Sequence, residues 1–546
     1  MGTDTFAKST LSIEFLGKTL SGPFTIPSGI VATSVDIIRH ILATVPELGV
    51  LTTKSIGLEP RLGYREPVYS QYAPGCFVNA VGLTNPGAHR SAELFKALDV
   101  PDDKFLLMSI FGGSVEEFVR VAEILAPFSD GFELNLSCPH AEGYGAAMGQ
   151  DPDLVEEIMV AVKSAVDVPV VPKLTPNVSD VAAIAQAAVR GGADALSAIN
   201  TVGPGLVTAH SHSVLSNGVG GLSGKGILPV ALKCVAEIRA VCDIPIIGCG
   251  GVSSANDVRE MKHAGAQIVG VGSALTGMDT EEISRYFSTL AMDLEEKTNR
   301  AEAEVRYDID MSFRGVTLLE NDRVTEDIAI LRFDRPLQIK AGEFIFLWVP
   351  GMGEKPFSAL VDDPFTLVVI DLGEFTSALI DLPVGSEAYV RGPYGKPAMP
   401  PPGSRIVCVA GGTGLAAVYQ LARDQGNADI FVGARSSDRL YFLEQARAAA
   451  EVHVATDDGS EGFHGLVTEL LDQHLQGLSA HEKAQLVFYN CGPEPMVHAA
   501  AAVQKRHCSE AQIFNAIDYL TKCGVGICGA CGGPDGRRLC VDGPFL

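Results

Sequence analysis

The chain has 546 residues, of which 47% are hydrophobic and 20% charged, and its formal net charge is −25. The length predicts more than one domain, and the composition favours large buried cores over disorder. The acidic balance excludes a nucleic-acid binder, which needs a basic face for phosphate contacts, and twelve cysteines in so long a chain do not make a disulfide scaffold.

The first residues, MGTDTFAKST, show no charged-then-apolar leader, and no apolar run approaches membrane-spanning length. Gly2 invites a myristoylation reading, but Phe6 stands where that motif wants Ser or Thr. The expectation is a soluble, cytoplasmic protein with no membrane or nucleic-acid partner.

From about residue 22 to 290, short β-branched runs alternate with helical stretches. VPVVPKL (168–174), ADALSAIN (193–200), IPIIGCGG (244–251) and AQIVGVGSA (266–274) read as buried parallel strands with polar or glycine tips. This spacing predicts an N-terminal (β/α)8 barrel over 1–290, with its site at the C-terminal strand ends. Residues 291–312 read as a helix and linker. Over 313–402, VTEDIAILRF, GEFIFLWVP and FTLVVID are separated by Gly, Pro and Asp, which predicts a small antiparallel β-barrel. After a stiff PAMPPPGS hinge, RIVCVAGGTGLAAVYQLARDQG opens a nucleotide-binding α/β domain over 403–510. A cysteine-rich segment, 511–546, closes the chain.

In that segment Cys523, Cys528 and Cys531 have the spacing C-x4-C-x2-C, and Cys540 follows after eight intervening residues. This is the plant-type [2Fe–2S] arrangement, whereas zinc sites more often pair cysteines as C-x2-C twice. Gly411, Gly412, Thr413 and Gly414 form a turn that lets a pyrophosphate approach a helix N-terminus. A glycine turn alone is weak, but EKPFS (354–358), RGPYG (391–395) and YNCGPEPM (489–496) accompany it.

The barrel motifs follow the same logic. ELNLSCPH (133–140) puts Asn135, Cys138 and His140 at a predicted strand tip. A lone cysteine is ordinarily a buried structural thiol, but here Pro139 fixes the turn after it, and a thiol held over a ring can take a proton from carbon. TTKSIGLEPRLG offers Lys54, NAVGLTNPG offers Asn79 and the amides of Gly82 and Leu83, PKLTPN offers Lys173, and AINT offers Asn200 and Thr201. GGLSG, GCGG and VGSA are glycine turns late in the barrel, where such folds bind phosphate.

Residues 313–546 resemble the electron-transfer subunit of class 1B dihydroorotate dehydrogenase, within the ferredoxin-reductase superfamily. Residues 20–290 resemble the catalytic subunit of class 1 dihydroorotate dehydrogenase. The resemblance implies a fusion of two chains, NAD-linked oxidation of dihydroorotate to orotate in pyrimidine (UMP) biosynthesis, and electrons passing from FMN to [2Fe–2S] to FAD to NAD. It implies Cys138 as base, with Lys54 and Lys173 catalytic. Substrate would meet Lys54, Asn79, Ala80, Val81, Gly82, Leu83, Asn135, His140, Asn200 and Thr201. FMN would be held by Ser28, Gly29, Lys54, Ser55, Asn135, Lys173, Ile199, Gly224, Gly250, Gly251, Gly272 and Ser273. FAD would lie on Lys355, Pro356, Phe357, Ser358 and Thr376, and NAD on Gly411, Gly412, Thr413, Gly414, Cys491 and Gly492. The four C-terminal cysteines would hold the cluster, and the barrel would form a homodimer.

Three departures from the family matter. Lys355 replaces the arginine of the flavin motif, a point charge for a bidentate fork. The loop between Cys531 and Cys540 is short, and His140 stands where the family commonly has Asn. The last keeps open an NAD(P)H-dependent dihydropyrimidine dehydrogenase acting on uracil, thymine or a related cyclic amide. A third reading is an electron-transfer or redox-sensing module with a degenerate barrel. Arg435, Ser436 and Arg439 follow the nucleotide turn and keep NADP open beside NAD.

Overall fold

The structure, a computed structural model, describes residues 11–136, 148–517 and 520–546. Cys138 and His140 lie outside the described residues. Two compact units are formed. The first runs to Ile309 and takes in Val525–Arg538; the second is Asp310–Gly524 with Leu539–Leu546.

In the first unit eight parallel strands close into a barrel in sequence order: β1 (Phe24–Ile26), β2 (Leu48–Thr52), β3 (Phe105–Ile110), β4 (Gly131–Asn135), β5 (Val170–Leu174), β6 (Leu196–Ala198), β7 (Ile246–Cys249) and β8 (Ile268–Gly270). Runs such as FLLMSI and VVPKL are buried on both faces, as strands covered by helices must be. The helices start where Ser34, Ser114, Asp151, Asp180, Ser254 and Asp279 accept from the first-turn amides. A short hairpin, Ile13–Phe15 with Lys18–Leu20, packs Phe15 and Leu20 among Val50, Phe105, Val171 and Ile268. Phe15 meets Phe105 edge-on at 5.7 Å, and burying such a ring stabilises by roughly 1.5–3 kcal/mol.

Two excursions, one after β2 and one after β6, pair into a four-stranded antiparallel sheet ordered Val202–Gly205, Gly220–Gly224, Cys76–Asn79, Tyr69–Ala73. That pairing sets Asn79 opposite Gly221. The stretch expected as a helix and linker is helical to Glu296 and then stays on the barrel. The reason is the buried Asp293 carboxylate, which accepts from Arg300 Nε at 3.0 Å and Ala301 N at 2.7 Å. Tyr307 then docks, its carbonyl accepting from Gly75 N at 2.7 Å.

The second unit begins with a seven-stranded antiparallel half-barrel: β9 (Arg314–Arg323), β10 (Ile328–Phe333), β11 (Phe344–Val349), β12 (Gly353–Phe357), β13 (Val361–Asp362), β14 (Phe365–Ile370) and β15 (Glu387–Tyr394), ordered β12-β11-β15-β9-β10-β14-β13. Alternate residues such as Val316, Leu318, Leu331, Phe333, Leu367 and Val369 fill its core. A six-stranded parallel sheet follows: β16 (Arg405–Gly411), β17 (Ala428–Ala434), β18 (Glu451–Thr456), β19 (Phe463–His464), β20 (Leu486–Cys491) and β21 (Ile513–Ala516), ordered β19-β18-β17-β16-β20-β21. The sequence reading ended this domain at 510, but β21 pairs with β20 along four residues and extends it. The segment Val525–Arg538 belongs to the barrel unit. Among the described residues no helix is long and apolar enough to cross a membrane.

Candidate active site

The mouth of the barrel holds a cavity of about 210 Å³. Strand direction explains its lining. Glu133 and Asn135 are two apart on β4 and point to the same, inner side, and β4–β5 register places Asn135 beside Lys173. β5–β6 register then places Ser197 beside Lys173. Lys54 lies two residues past β2, its Nζ 3.5 Å from where a side chain on Gly29 would begin.

All the described barrel residues anticipated from sequence line this cavity: Ser28, Gly29, Lys54, Ser55, Asn79–Leu83, Asn135, Lys173, Ile199, Asn200, Thr201, Gly224, Gly250, Gly251, Gly272 and Ser273. Several are tied into one hydrogen-bonded row. Ser28 Oγ pairs with Ser55 Oγ at 3.1 Å, and Ser55 Oγ accepts from Asn135 Nδ2 at 3.0 Å. Asn200 Nδ2 donates to Asn135 Oδ1 at 3.3 Å, and Thr201 N donates to Asn200 Oδ1 at 2.8 Å. The row fixes which way each amide faces, as a planar ring of donors and acceptors requires. Asn79 Nδ2 donates to Gly221 O at 3.3 Å across the excursion sheet.

At the inner end Lys173 is 5% exposed and Glu133 2%. Their charged atoms are 3.6 Å apart, and Ser197 Oγ donates to Glu133 Oε2 at 3.0 Å. Burial by itself pulls the Lys173 ammonium down, but the Glu133 carboxylate holds it above a lysine's ordinary value. Burial pushes the Cys249 thiol up against the opposing pull of Lys173, so this cysteine is a neutral wall. At the other end Gly224, Gly250 and Gly251 have φ of +90°, +130° and +76°, and Ser273 opens a short 3-10 turn after Gly272. A side chain on Gly224 would meet Gly75 O at 2.0 Å. Close packing and left-handed backbone explain why glycine stands at these positions of the cavity wall.

Sequence reasoning missed several participants. Glu133, Ser197 and Ser109 are inner-facing polar residues on strands, Ser109 pairing with Ser55 at 2.9 Å. Asn177 joins the Thr201 turn through Thr201 O at 3.0 Å and Gly203 N at 2.9 Å. A polar residue inside an otherwise apolar strand was the available signal. Ile527 and Cys528 also line the cavity, and nothing in their local sequence points there. Val31 N donates to Ile527 O at 2.7 Å, Gly277 N to Val525 O at 2.8 Å, and the buried Arg538 donates to Gly526 O and Met278 O at 2.6 and 3.0 Å. This far segment is a wall of the barrel site.

In the second unit Gly411–Gly414 connect β16 to the helix Gly414–Gln425. Ala410 pairs with Cys491, so the turn and Cys491–Gly492 meet at the carboxyl ends of β16 and β20, where strand order reverses. That crevice is where open α/β sheets bind dinucleotides. A side chain on Gly414 would begin 1.9 Å from Cys491 O. Arg439, one of the residues that keep NADP open, pairs with Asp327 at 2.6 and 3.2 Å. Lys355, Pro356 and Phe357 lie on β12, followed by Ser358, and Phe357 faces Phe375 at 6.5 Å. Thr376 closes the turn before its helix, accepting from Leu372 N at 2.8 Å. Cys523, Cys528, Cys531 and Cys540 are each buried, at 9% exposure or less.

Fold and site define a class: an oxidoreductase built on a (β/α)8 barrel, in one chain with an NAD-binding type of sheet. More narrowly, the chain belongs to the dihydroorotate dehydrogenase family, whose profile matches residues 10–291, and the oxidoreductase NAD-binding domain profile matches residues 408–502. It is 45% identical over 269 residues to a protein of Pyrococcus horikoshii named dihydroorotate dehydrogenase B (NAD(+)), catalytic subunit, covering 49% of this chain and 87% of that one. A protein of the same name from Methanosarcina mazei is 45% identical over 270 residues, 49% of this chain and 85% of that one. The Pyrococcus abyssi protein of that name is 42% identical over 286 residues, 50% and 93% of the respective chains. The family implies FMN in the barrel, and the second profile implies binding of the NAD/FAD type.

Proposed function

We propose that this protein is an NAD-linked dihydroorotate dehydrogenase whose electron-transfer module is fused to its catalytic barrel. The observation that carries the reading is the shared cavity: Lys54, Asn135 and Lys173 line it together with Ile527 and Cys528 of the cysteine segment. Cys528, one of the four cysteines proposed as cluster ligands, is itself part of that cavity wall. The donor set suits iron, being four buried thiols interrupted by left-handed glycines at 524, 526 and 529. When bound, FMN accepts a hydride equivalent, the [2Fe–2S] cluster carries single electrons, and FAD returns a pair to NAD+.

The chain's own groups divide the remaining work. Cys138 Sγ is assigned the proton from the substrate carbon adjacent to the one that gives up the hydride. Asn79, Asn135 and Asn200 present amides to the ring of a cyclic diamide, and the row from Ser28 to Thr201 fixes their orientation. Lys54 offers its cation to the substrate carboxylate, and His140 is assigned to the same end. Lys173, kept charged by Glu133, would offset negative charge on a flavin bound in the cavity. The Arg439–Asp327 pair supports NAD over NADP, because it occupies an arginine that a 2′-phosphate would need.

Anaerobic mixing with dihydroorotate and, separately, dihydrouracil tests this. Dihydroorotate is expected to bleach the flavin and, with NAD+, to yield NADH. Faster bleaching by dihydrouracil would instead establish the dihydropyrimidine dehydrogenase reading.

A further inference from the structure

Arg391, on β15, is 1% exposed, and its partner Glu354, on β12, is fully buried. Arg391 Nε and Nη2 donate to the two Glu354 oxygens at 2.5 and 2.9 Å. Its Nη1 donates to Tyr394 OH at 3.1 Å and to the carbonyl of Cys523 at 2.9 Å. The guanidinium lies 4.1 Å from the centre of the Phe346 ring and 5.3 Å from that of Tyr394. Those same rings meet the next residue of the cysteine segment. Gly524 has φ of +82°, and a side chain there would begin 2.8 Å from Phe346 and 3.0 Å from Tyr394. One cage thus grips both the cation and the Cys523–Gly524 turn.

Buried ion pairs rarely earn their place through stability, since apolar replacements of equal volume are often neutral or better. Such a pair does fix geometry and local charge. Arg391 is a permanent cation whose planar fork orients the Cys523 peptide, and Glu354 cancels that charge at short range. The potential of an iron–sulfur centre depends on nearby charge and on hydrogen bonding around its ligands.

We infer that Arg391 is a positioning residue for Cys523, and that its pairing with Glu354 sets the reduction potential of the centre the cysteines hold. This rests on the reading of those cysteines as cluster ligands. Removing the Glu354 charge leaves the guanidinium uncompensated beside Cys523 and favours the reduced, more negative cluster.

The test measures iron per chain, the electron paramagnetic resonance spectrum of the reduced protein, and its midpoint potential, on the full-length holoenzyme. Glu354→Gln is expected to retain iron and shift the potential upward. The double variant Arg391→Met with Glu354→Met keeps an apolar cage and removes both charges. It is expected to keep the barrel flavin but to lose iron severalfold or change its spectrum, with Arg391→Lys restoring neither fully. Wild-type iron content, spectrum and potential in both Glu354→Gln and the double variant would overturn the inference. A wild-type protein that binds no iron when reconstituted anaerobically would instead overturn the cluster reading.

Discussion

The substitution Gly529→Ala tests whether the cysteine segment is part of the flavin site. Gly529 has φ of +65°, and an added Cβ would lie 2.1 Å from Thr33 Oγ1 and 2.4 Å from Val31 O. The left-handed backbone costs a non-glycine residue about 1–2 kcal/mol. The Thr33 hydroxyl can rotate away, but Val31 O is backbone, held by Thr33 N at 2.8 Å, so the docked segment must shift. Overpacking of this kind costs about 1–3 kcal/mol. The sum, about 2–5 kcal/mol, weakens docking of Val525–Arg538 by a factor of roughly 30 to several thousand. Ile527 and Cys528 then leave the cavity wall, and FMN should dissociate faster. The assay is recovery of free-flavin fluorescence after dilution, with Gly17→Ala as control. Gly17 has φ of +84° with nothing within 4 Å, so it carries the backbone cost without the clash. Wild-type flavin release in Gly529→Ala would refute the reasoning; release matching that of Gly17→Ala would reduce it to backbone strain.

Three further outcomes follow from the same geometry. Glu133→Gln removes the carboxylate that offsets the burial of Lys173; breaking such a pair costs about 3–5 kcal/mol. In the wild type the folded pKa of Lys173 is raised, so the pair's contribution is complete below the ordinary lysine value of 10.5 and is lost as pH rises above it. In the variant burial dominates, and the alkaline fall in flavin reduction, followed by stopped-flow bleaching, should move to lower pH. Asp327→Ala should free Arg439 and raise NADP use relative to NAD severalfold in steady-state assays. Hydrogen bonding from Arg439 holds the Asp327 carboxyl down at about 2. The pair is therefore complete above the ordinary carboxylate value and lost only as pH falls toward 2, and the wild-type preference should be flat across neutral pH. Gly414→Ala drives a methyl into Cys491 O; NADH oxidation should be lost while dihydroorotate still bleaches the barrel flavin.

The barrel and its mouth were legible because most of its strands are largely apolar, and polar residues gather toward their tips. Lys54, Asn79, Lys173 and Asn200 all sit at such changes of pattern. Glu133 was quoted in its motif but not singled out, because its partner Lys173 is on another strand and only barrel closure brings them together. Ile527 is a stronger case. It reaches the cavity from the far end of the chain, held by Val31 and by glycines packed against Thr33, Ile37 and His40. Contacts of that span leave no periodic trace. Arg439 is the converse case: a charge that the sequence leaves open to a 2′-phosphate is paired with Asp327, a partner far away in sequence. The hairpin at Ile13–Leu20 has strands of three residues, too short for alternation to register.

The most direct measurement is an anaerobic titration of purified protein with dihydroorotate, following flavin absorbance and cluster resonance together, after metal and flavin analysis. The account predicts FMN and FAD in equal amounts with twice as much iron, and flavin bleaching accompanied by a paramagnetic cluster that NAD+ reoxidises. Zinc in place of iron, a single flavin per chain, or a flavin that bleaches while the cluster stays silent would contradict it.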